Sequence, residues 1–267
     1  MFRTIILFGS WVPLLLMAQV SEALQIGQVH QLRSTSLNEV RELNVVLPDG
    51  FHPDTIYLVV YLLDGSKNED LLHVAGLMQF LTMIGKMEPS ILVGIANVDR
   101  KRDFTSPTRN VADQKAVPTA GGSKRFIPYL TKEVPDHIRS LYKIKPGGTV
   151  IGQSLGGLLL TEVLIEQQAS FNNYIIVSPS LWWDDGSLLQ RLQKEAASIF
   201  VFPTKVIIMV GKEGDQMETD ARALATILKS VSTGTVDLVH MPEEDHLTIL
   251  HNALYKAFLM LDRSIQE

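Results

Sequence analysis

Residues 149–165 read Thr-Val-Ile-Gly-Gln-Ser-Leu-Gly-Gly-Leu-Leu-Leu-Thr-Glu-Val-Leu-Ile. A short β-branched run passes through Gly152-Gln153-Ser154-Leu155-Gly156 into a long apolar segment with helical character. Strand, Gly-x-Ser-x-Gly and helix in immediate succession are the setting of a nucleophile elbow. The glycines have a steric reason, because side chains two residues either side of the serine would collide on so tight a turn. The turn lifts the Ser154 hydroxyl above the carboxyl ends of the strands. It also sets the Leu155 amide at a helix N-terminus, where an N–H can stabilise a developing oxyanion. A glycine-rich turn serving only packing or phosphate binding is the plainer alternative. The strand before and the helix after favour the elbow.

A serine nucleophile needs a base, and on this scaffold the acid follows the serine and the histidine comes last. Of seven histidines, His30, His52, His73 and His137 precede Ser154, while His240, His246 and His251 follow. His240 ends a strand pattern and His251 falls inside the last helical pattern. His246 lies in the connection between them, within Glu243-Glu244-Asp245-His246, and is the expected base. The acid should stand just past the strand ending at Gly211, in Lys212-Glu213-Gly214-Asp215-Gln216. Asp215 is preferred and Glu213 stands close behind, with Asp245 and Glu244 less favoured beside the histidine. A second oxyanion donor is expected from Leu63-Asp64-Gly65-Ser66, as the amide of Gly65 or Ser66. Asp64 there reads as a loop-fixing side chain.

Outward from the elbow, strand-like and helix-like runs alternate. Ile56–Leu63, Ile91–Val98, Tyr174–Val177 and Lys205–Gly211 are nearly continuous apolar runs of the kind buried on both faces of a sheet. Val40–Leu47 alternates and ends at the turn signal Pro48-Asp49-Gly50. Val236–His240 is a further strand. Helical spacing marks Asp70–Ile84, Phe126–Leu141 with a kink expected at Pro135, Leu155–Gln167, Leu188–Ile199, Glu218–Val231 and His246–Leu261. The alternation predicts an α/β chain with a mostly parallel central sheet, helices on both faces and antiparallel strands at the N-terminal side. Asp99–Gly122 lacks periodicity and carries Arg100, Lys101, Arg102, Asp103 and Arg109. A long irregular loop inside a compact domain is often functional.

The composition narrows the chemistry. The chain of 267 residues is 46% hydrophobic, enough for a large core, and its net charge of -5 disfavours nucleic acid or an anionic membrane as partner. The absence of cysteine removes disulfides, cysteine-ligated metals and thiol nucleophiles. Residues 1–23 have Arg3, an apolar run from Ile5 to Met17, and small residues at Ser21 and Ala23. That is the layout of a secretory signal peptide, with an uncleaved anchor as the alternative. Its apolar run is shorter than the ~20 residues of a membrane span. Residues 24–267 would then form one domain, without stable membrane insertion once the signal is cleaved.

Taken together, Tyr61–Gly65 (YLLDG), Asn97–Pro107 (NVDRKRDFTSP), Gly121-Gly122 with Phe126, Ile151–Gly157 (IGQSLGG), Ser178–Asp185 (SPSLWWDD) and Glu244–Leu250 (EDHLTIL) resemble the putative esterase family of α/β-hydrolases. This group contains esterase D-like enzymes and periplasmic enterobactin-type siderophore esterases. The resemblance implies an α/β-hydrolase fold and a Ser–His hydrolase of carboxylic esters with no metal or organic cofactor. It implies that Arg100 and Arg102 line the site and hold an anionic or catechol-rich substrate, against the alternative that they pair with Asp99 and Asp103 to staple the loop. It also implies that Trp182 and Trp183 wall the acyl or alcohol pocket. The expectation is a periplasmic or secreted serine esterase acting on a small-molecule ester, such as a siderophore lactone, a simple acyl ester or a sugar ester. Acyl transfer to a sugar or lipid alcohol by the same residues, and a non-catalytic binding protein on this fold, are the alternatives.

Overall fold

In the computed structural model, residues 23–167, 170–199 and 204–263 are described, so the expected signal segment lies almost wholly outside the described residues. Among the described residues, eight strands form one sheet in the order β1-β2-β4-β3-β5-β6-β7-β8. They are β1 (Gln28–Ser34), β2 (Glu39–Val46), β3 (Leu58–Leu62), β4 (Ser90–Ile95), β5 (Thr149–Gln153), β6 (Asn173–Val177), β7 (Lys205–Gly211) and β8 (Val236–Met241). β1 pairs antiparallel with β2, and β2 with β4. All other pairings are parallel. The mostly parallel sheet follows the alternation of the sequence. β1 does not, since its residues are largely exposed and an edge strand has no apolar run to betray it.

The apolar strands divide their side chains between two cores. Val59, Tyr61 and Leu63 join one cluster, and Val60 and Leu62 the other. The first is closed by α4 (Ser123–Pro128), α5 (Val134–Leu141), α6 (Leu155–Glu166), α7 (Trp183–Ile199) and α8 (Asp215–Val231). The second is closed by α1 (Leu71–Met83) and α9 (Ile249–Arg263). Helices cover both faces, as parallel crossovers require.

The helical pattern over 126–141 is broken into α4, a π-helical stretch at Tyr129–Glu133, and α5. Pro135 sits in the first turn of α5, where its missing N–H costs nothing. Pro128 stands inside α4 immediately before the π-helical stretch, so the discontinuity comes seven residues earlier than the kink expected at Pro135. α9 begins at Ile249 rather than His246.

Residues 99–122 contain two short helices, α2 (Arg100–Asp103) and α3 (Val111–Ala116). A partly buried ion-pair network ties α2 to β2. Arg41, with no exposed side-chain surface, donates to Asp103 at 2.8 Å and to Glu39 at 3.1 Å. Arg102 donates to Asp103 and Glu39, both at 2.7 Å. The Arg41 guanidinium also lies over the rings of Phe126 and Tyr129.

Candidate active site

Ser154 lies between β5 and α6 with φ 59° and ψ -118°, a strained conformation for a residue with a side chain. The close approach needed for this turn is met by glycine. A Cβ on Gly152 would stand 2.7 Å from the backbone of Gly156, and one on Gly157 would stand 2.9 Å from Pro179 Cα. The Ser154 amide donates to Val177 O at 3.0 Å, and its carbonyl accepts from the Ser180 amide at 3.0 Å. The elbow is thereby tied to the end of β6.

His246 stands in the loop between β8 and α9, and its carbonyl accepts from the Gln153 side-chain amide at 2.6 Å. Its Nδ1 is 2.5 Å from Glu213 Oε2 and its Nε2 is 3.1 Å from Ser154 Oγ. A carboxylate can only accept, so Nδ1–H donates to Glu213. The neutral ring then presents its Nε2 lone pair to the Ser154 hydroxyl. Ser154 Oγ also lies 3.1 Å from Ser180 Oγ. With its own proton directed at His246, Ser154 accepts from Ser180.

Glu213 follows β7, and only 2% of its side chain is exposed. Its Oε1 accepts from Ser178 Oγ and, at 2.9 Å, from the Gly211 amide. Burial pushes the carboxyl up, but His246, Ser178 and Gly211 together outweigh it and hold it below the ordinary glutamate range. The structure thus brings Glu213 to the histidine instead of the preferred Asp215. Gly214, at φ 89°, turns the chain away, and Asp215 becomes the exposed first residue of α8. Asp245 accepts from the amides of Leu247 and Thr248, and Glu244 from Asn252.

The expected oxyanion donors are divided. The Leu155 amide opens α6, where the helix has no intrahelical acceptor for it. Gly65 is not such a donor, because its amide is spent on Ile95 O at 3.0 Å. Its glycine identity reflects packing, since an added Cβ would meet Gly94 Cα at 2.3 Å. The Ser66 amide is also occupied, donating to Glu69 Oε2 at 3.2 Å.

The arginines are corrected as well. Arg100 donates to both oxygens of Asp64, at 2.6 and 2.9 Å, and to Gln153 O at 3.3 Å. Arg102 is held by Glu39 and Asp103. Both staple the loop, although with Asp64 and Glu39 in place of Asp99. Asp99 instead caps α2 by accepting from the Arg102 amide. Trp183 is buried, donating Nε1–H to Ser106 O at 3.1 Å, so it anchors a loop and does not line the cleft over the serine. Trp182, 42% exposed, does line the cleft over the serine. That cleft, of about 480 Å³, is lined by Ser154, Ser180, Trp182, Met217, His246 and Leu247, together with the charged Lys212, Glu213 and Asp245.

The sequence signature of the Esterase family, described as "Putative esterase", matches residues 34–237. The chain belongs to this esterase family. Ferri-bacillibactin esterase BesA of Bacillus subtilis is 28% identical over 181 residues, a match spanning 61% of this chain and 62% of that protein. An IroE-like serine hydrolase from Shewanella oneidensis superposes with a TM-score of 0.78 at 26% identity, covering 89% of this chain and 80% of the other. The BES protein from Bacillus cereus superposes with a TM-score of 0.76 at 24% identity, covering 90% and 97%. The fold of this esterase family member is accordingly the α/β-hydrolase fold, with its elbow at the carboxyl ends of the parallel strands.

Sequence reasoning missed Ser178, Ser180 and Gln153 as supports of the site. The first two lie in Ser178-Pro179-Ser180, directly after a buried strand and at the same end of the sheet as the elbow. That position was the available signal. Ser178 carries a further mark of constraint, a φ of 45°.

Proposed function

We propose that the protein is an exported serine hydrolase that cleaves carboxylic esters of the siderophore class through an acyl-enzyme. The observation that carries this reading is the continuous chain from Ser154 Oγ through both nitrogens of His246 to Glu213. Ser154 attacks the ester carbonyl while His246 Nε2 takes its proton. Glu213 stabilises the imidazolium and fixes its tautomer. Negative charge develops on the carbonyl oxygen near the Leu155 amide at the positive end of α6. As the tetrahedral species collapses, His246 gives the proton to the departing alcohol oxygen. Water then enters and attacks the acyl carbon while losing a proton to His246, and as the acid leaves His246 returns that proton to Ser154 Oγ.

The substrate class is supported by BesA, named a ferri-bacillibactin esterase, and by the form of the cleft. It is broad and open, with Trp182, Met217 and Leu247 offering apolar surface to a bulky substrate, and with Lys212 and Asp245 supplying one charge of each sign. Export is supported by the signal-like layout of residues 1–23. Among the described residues no helix is long and apolar enough to cross a membrane.

The test is a panel containing p-nitrophenyl butyrate and a ferric tris-catecholate trilactone, with product masses followed over time. The reading expects hydrolysis of both and a preference in kcat/KM for the trilactone. Preference for the simple ester would remove the siderophore assignment. Failure on every ester would remove the hydrolase.

A further inference from the structure

We propose that His73 and His251 form a two-imidazole site for one divalent transition-metal ion of the copper, nickel and zinc group. The two residues stand in the first turns of α1 and α9, helices that share a core through Leu71, Val74, Leu250 and Leu254. Their Nδ1 atoms are 3.3 Å apart and their ring centroids 5.5 Å apart. Two ligands each about 2.0–2.1 Å from one ion, as in imidazole–zinc bonds, have a nitrogen separation of about this size.

The third member fixes the tautomer. Asp70 Oδ1 lies 3.3 Å from His73 Nε2. A carboxylate accepts, so Nε2 carries the proton and the Nδ1 lone pair of His73 faces His251. The contact between the rings then requires the proton on His251 Nδ1. An ion in place of that one proton would sit off the line between the two nitrogens, and rotation of both rings about their side-chain torsions brings their lone pairs onto it. Asp70 behind His73 is the carboxylate–histidine arrangement that orients metal-bound imidazoles and raises their basicity. His73 is partly exposed and His251 exposed, which leaves room for water to complete the coordination.

Imidazole ligands suit copper, nickel and zinc, and copper binds most strongly in that series. Among the described residues no three His, Cys, Asp or Glu side chains converge on one point. The site therefore offers two protein ligands and open positions. An ion there would clamp α1 to α9, the helices that follow the Asp64–Asp70 loop and the His246 loop.

The test is titration of the full chain with Cu2+ alone at neutral pH, by calorimetry and by electron paramagnetic resonance. One ion per chain and hyperfine splitting from two nitrogens are expected. His73→Ala and His251→Ala should each weaken binding at least about tenfold, and Asp70→Asn by about tenfold. His73→Gln and His251→Gln, with circular dichroism matching the parent, serve if the alanine variants fold poorly. Variants at His30 and His137, the other close histidine pair, should leave the titration unchanged. Copper isotherms of the His73 and His251 variants that superimpose on the parent would overturn the site, as would absence of binding by the parent up to about 1 mM, the weak end of the affinity scale. Ser154→Ala should bind copper like the parent, so failure here is separate from failure of the esterase reading.

Discussion

Glu213 Oε2 lies 2.5 Å from His246 Nδ1, and this contact carries the only carboxylate that meets the His246 ring among the described residues. Both oxygens of Glu213 are used, one by the imidazole and one by Ser178 and Gly211. The carboxylate is therefore fixed in position and in charge before any substrate arrives. Glu213→Gln should lower kcat by about 10²–10⁴, the upper figure being the loss known for an amide at the equivalent point of a serine triad. Asp215→Asn, changing an exposed helix-terminal residue, should leave kcat unaltered. Steady-state rates on p-nitrophenyl butyrate compare the two, and the opposite ranking would return the acid to Asp215.

The same contact makes a statement about acid stability. The Glu213 carboxyl titrates lower in the folded chain than the ordinary glutamate value of 4.5. Between the two values the unfolded chain binds more protons, so stability rises with pH in that window. The contribution is complete above the unfolded value and is lost as pH falls through the folded one. Urea midpoints measured from pH 7 to pH 3 should fall less steeply in Glu213→Gln than in the parent below about pH 4.5. Parallel curves would place the acid sensitivity elsewhere.

Ser180 gives the Ser154 hydroxyl its second hydrogen bond. Removing a neutral hydrogen bond costs about 0.5–1.5 kcal/mol. Ser180→Ala should therefore slow turnover by about two- to tenfold, with KM little changed. A collapse comparable with loss of His246 would mean that Ser180 takes part in the proton transfers themselves.

The Arg41 network explains how an irregular segment holds still. Arg41→Ala would leave part of the buried charge of Asp103 uncompensated, and breaking a buried pair costs about 3–5 kcal/mol. Thermal unfolding should show the loss, together with proteolytic cleavage within residues 99–122. A variant as stable as the parent would show that the loop is held by its apolar contacts, Phe104 and Val117.

These cases mark what was legible in the sequence. The parallel strands were legible because burial on both faces leaves an unbroken apolar run. Ser154 and His246 were legible because the elbow has a local steric signature and the histidine falls in the loop before the last helix. Which carboxylate meets His246 was not, since Glu213 and Asp215 are two residues apart on one turn. The choice depends on Gly214 and on partners at Ser178 and His246. Arg100 and Arg102 could be read either as substrate-facing or as paired with Asp99 and Asp103, because their partners Asp64 and Glu39 lie 36 and 63 residues away. Ion pairs of that range leave no periodic trace.

The central claim is that Ser154 is the nucleophile of an ester hydrolase. Its most direct measurement is intact-protein mass spectrometry after incubation with a fluorophosphonate, paired with hydrolysis of p-nitrophenyl butyrate. The parent should gain a single phosphonyl group at Ser154. Ser154→Ala should gain none and should lose kcat by about 10⁶, as loss of a triad serine does elsewhere. Labelling at another residue, or ester hydrolysis that survives in Ser154→Ala, would contradict it.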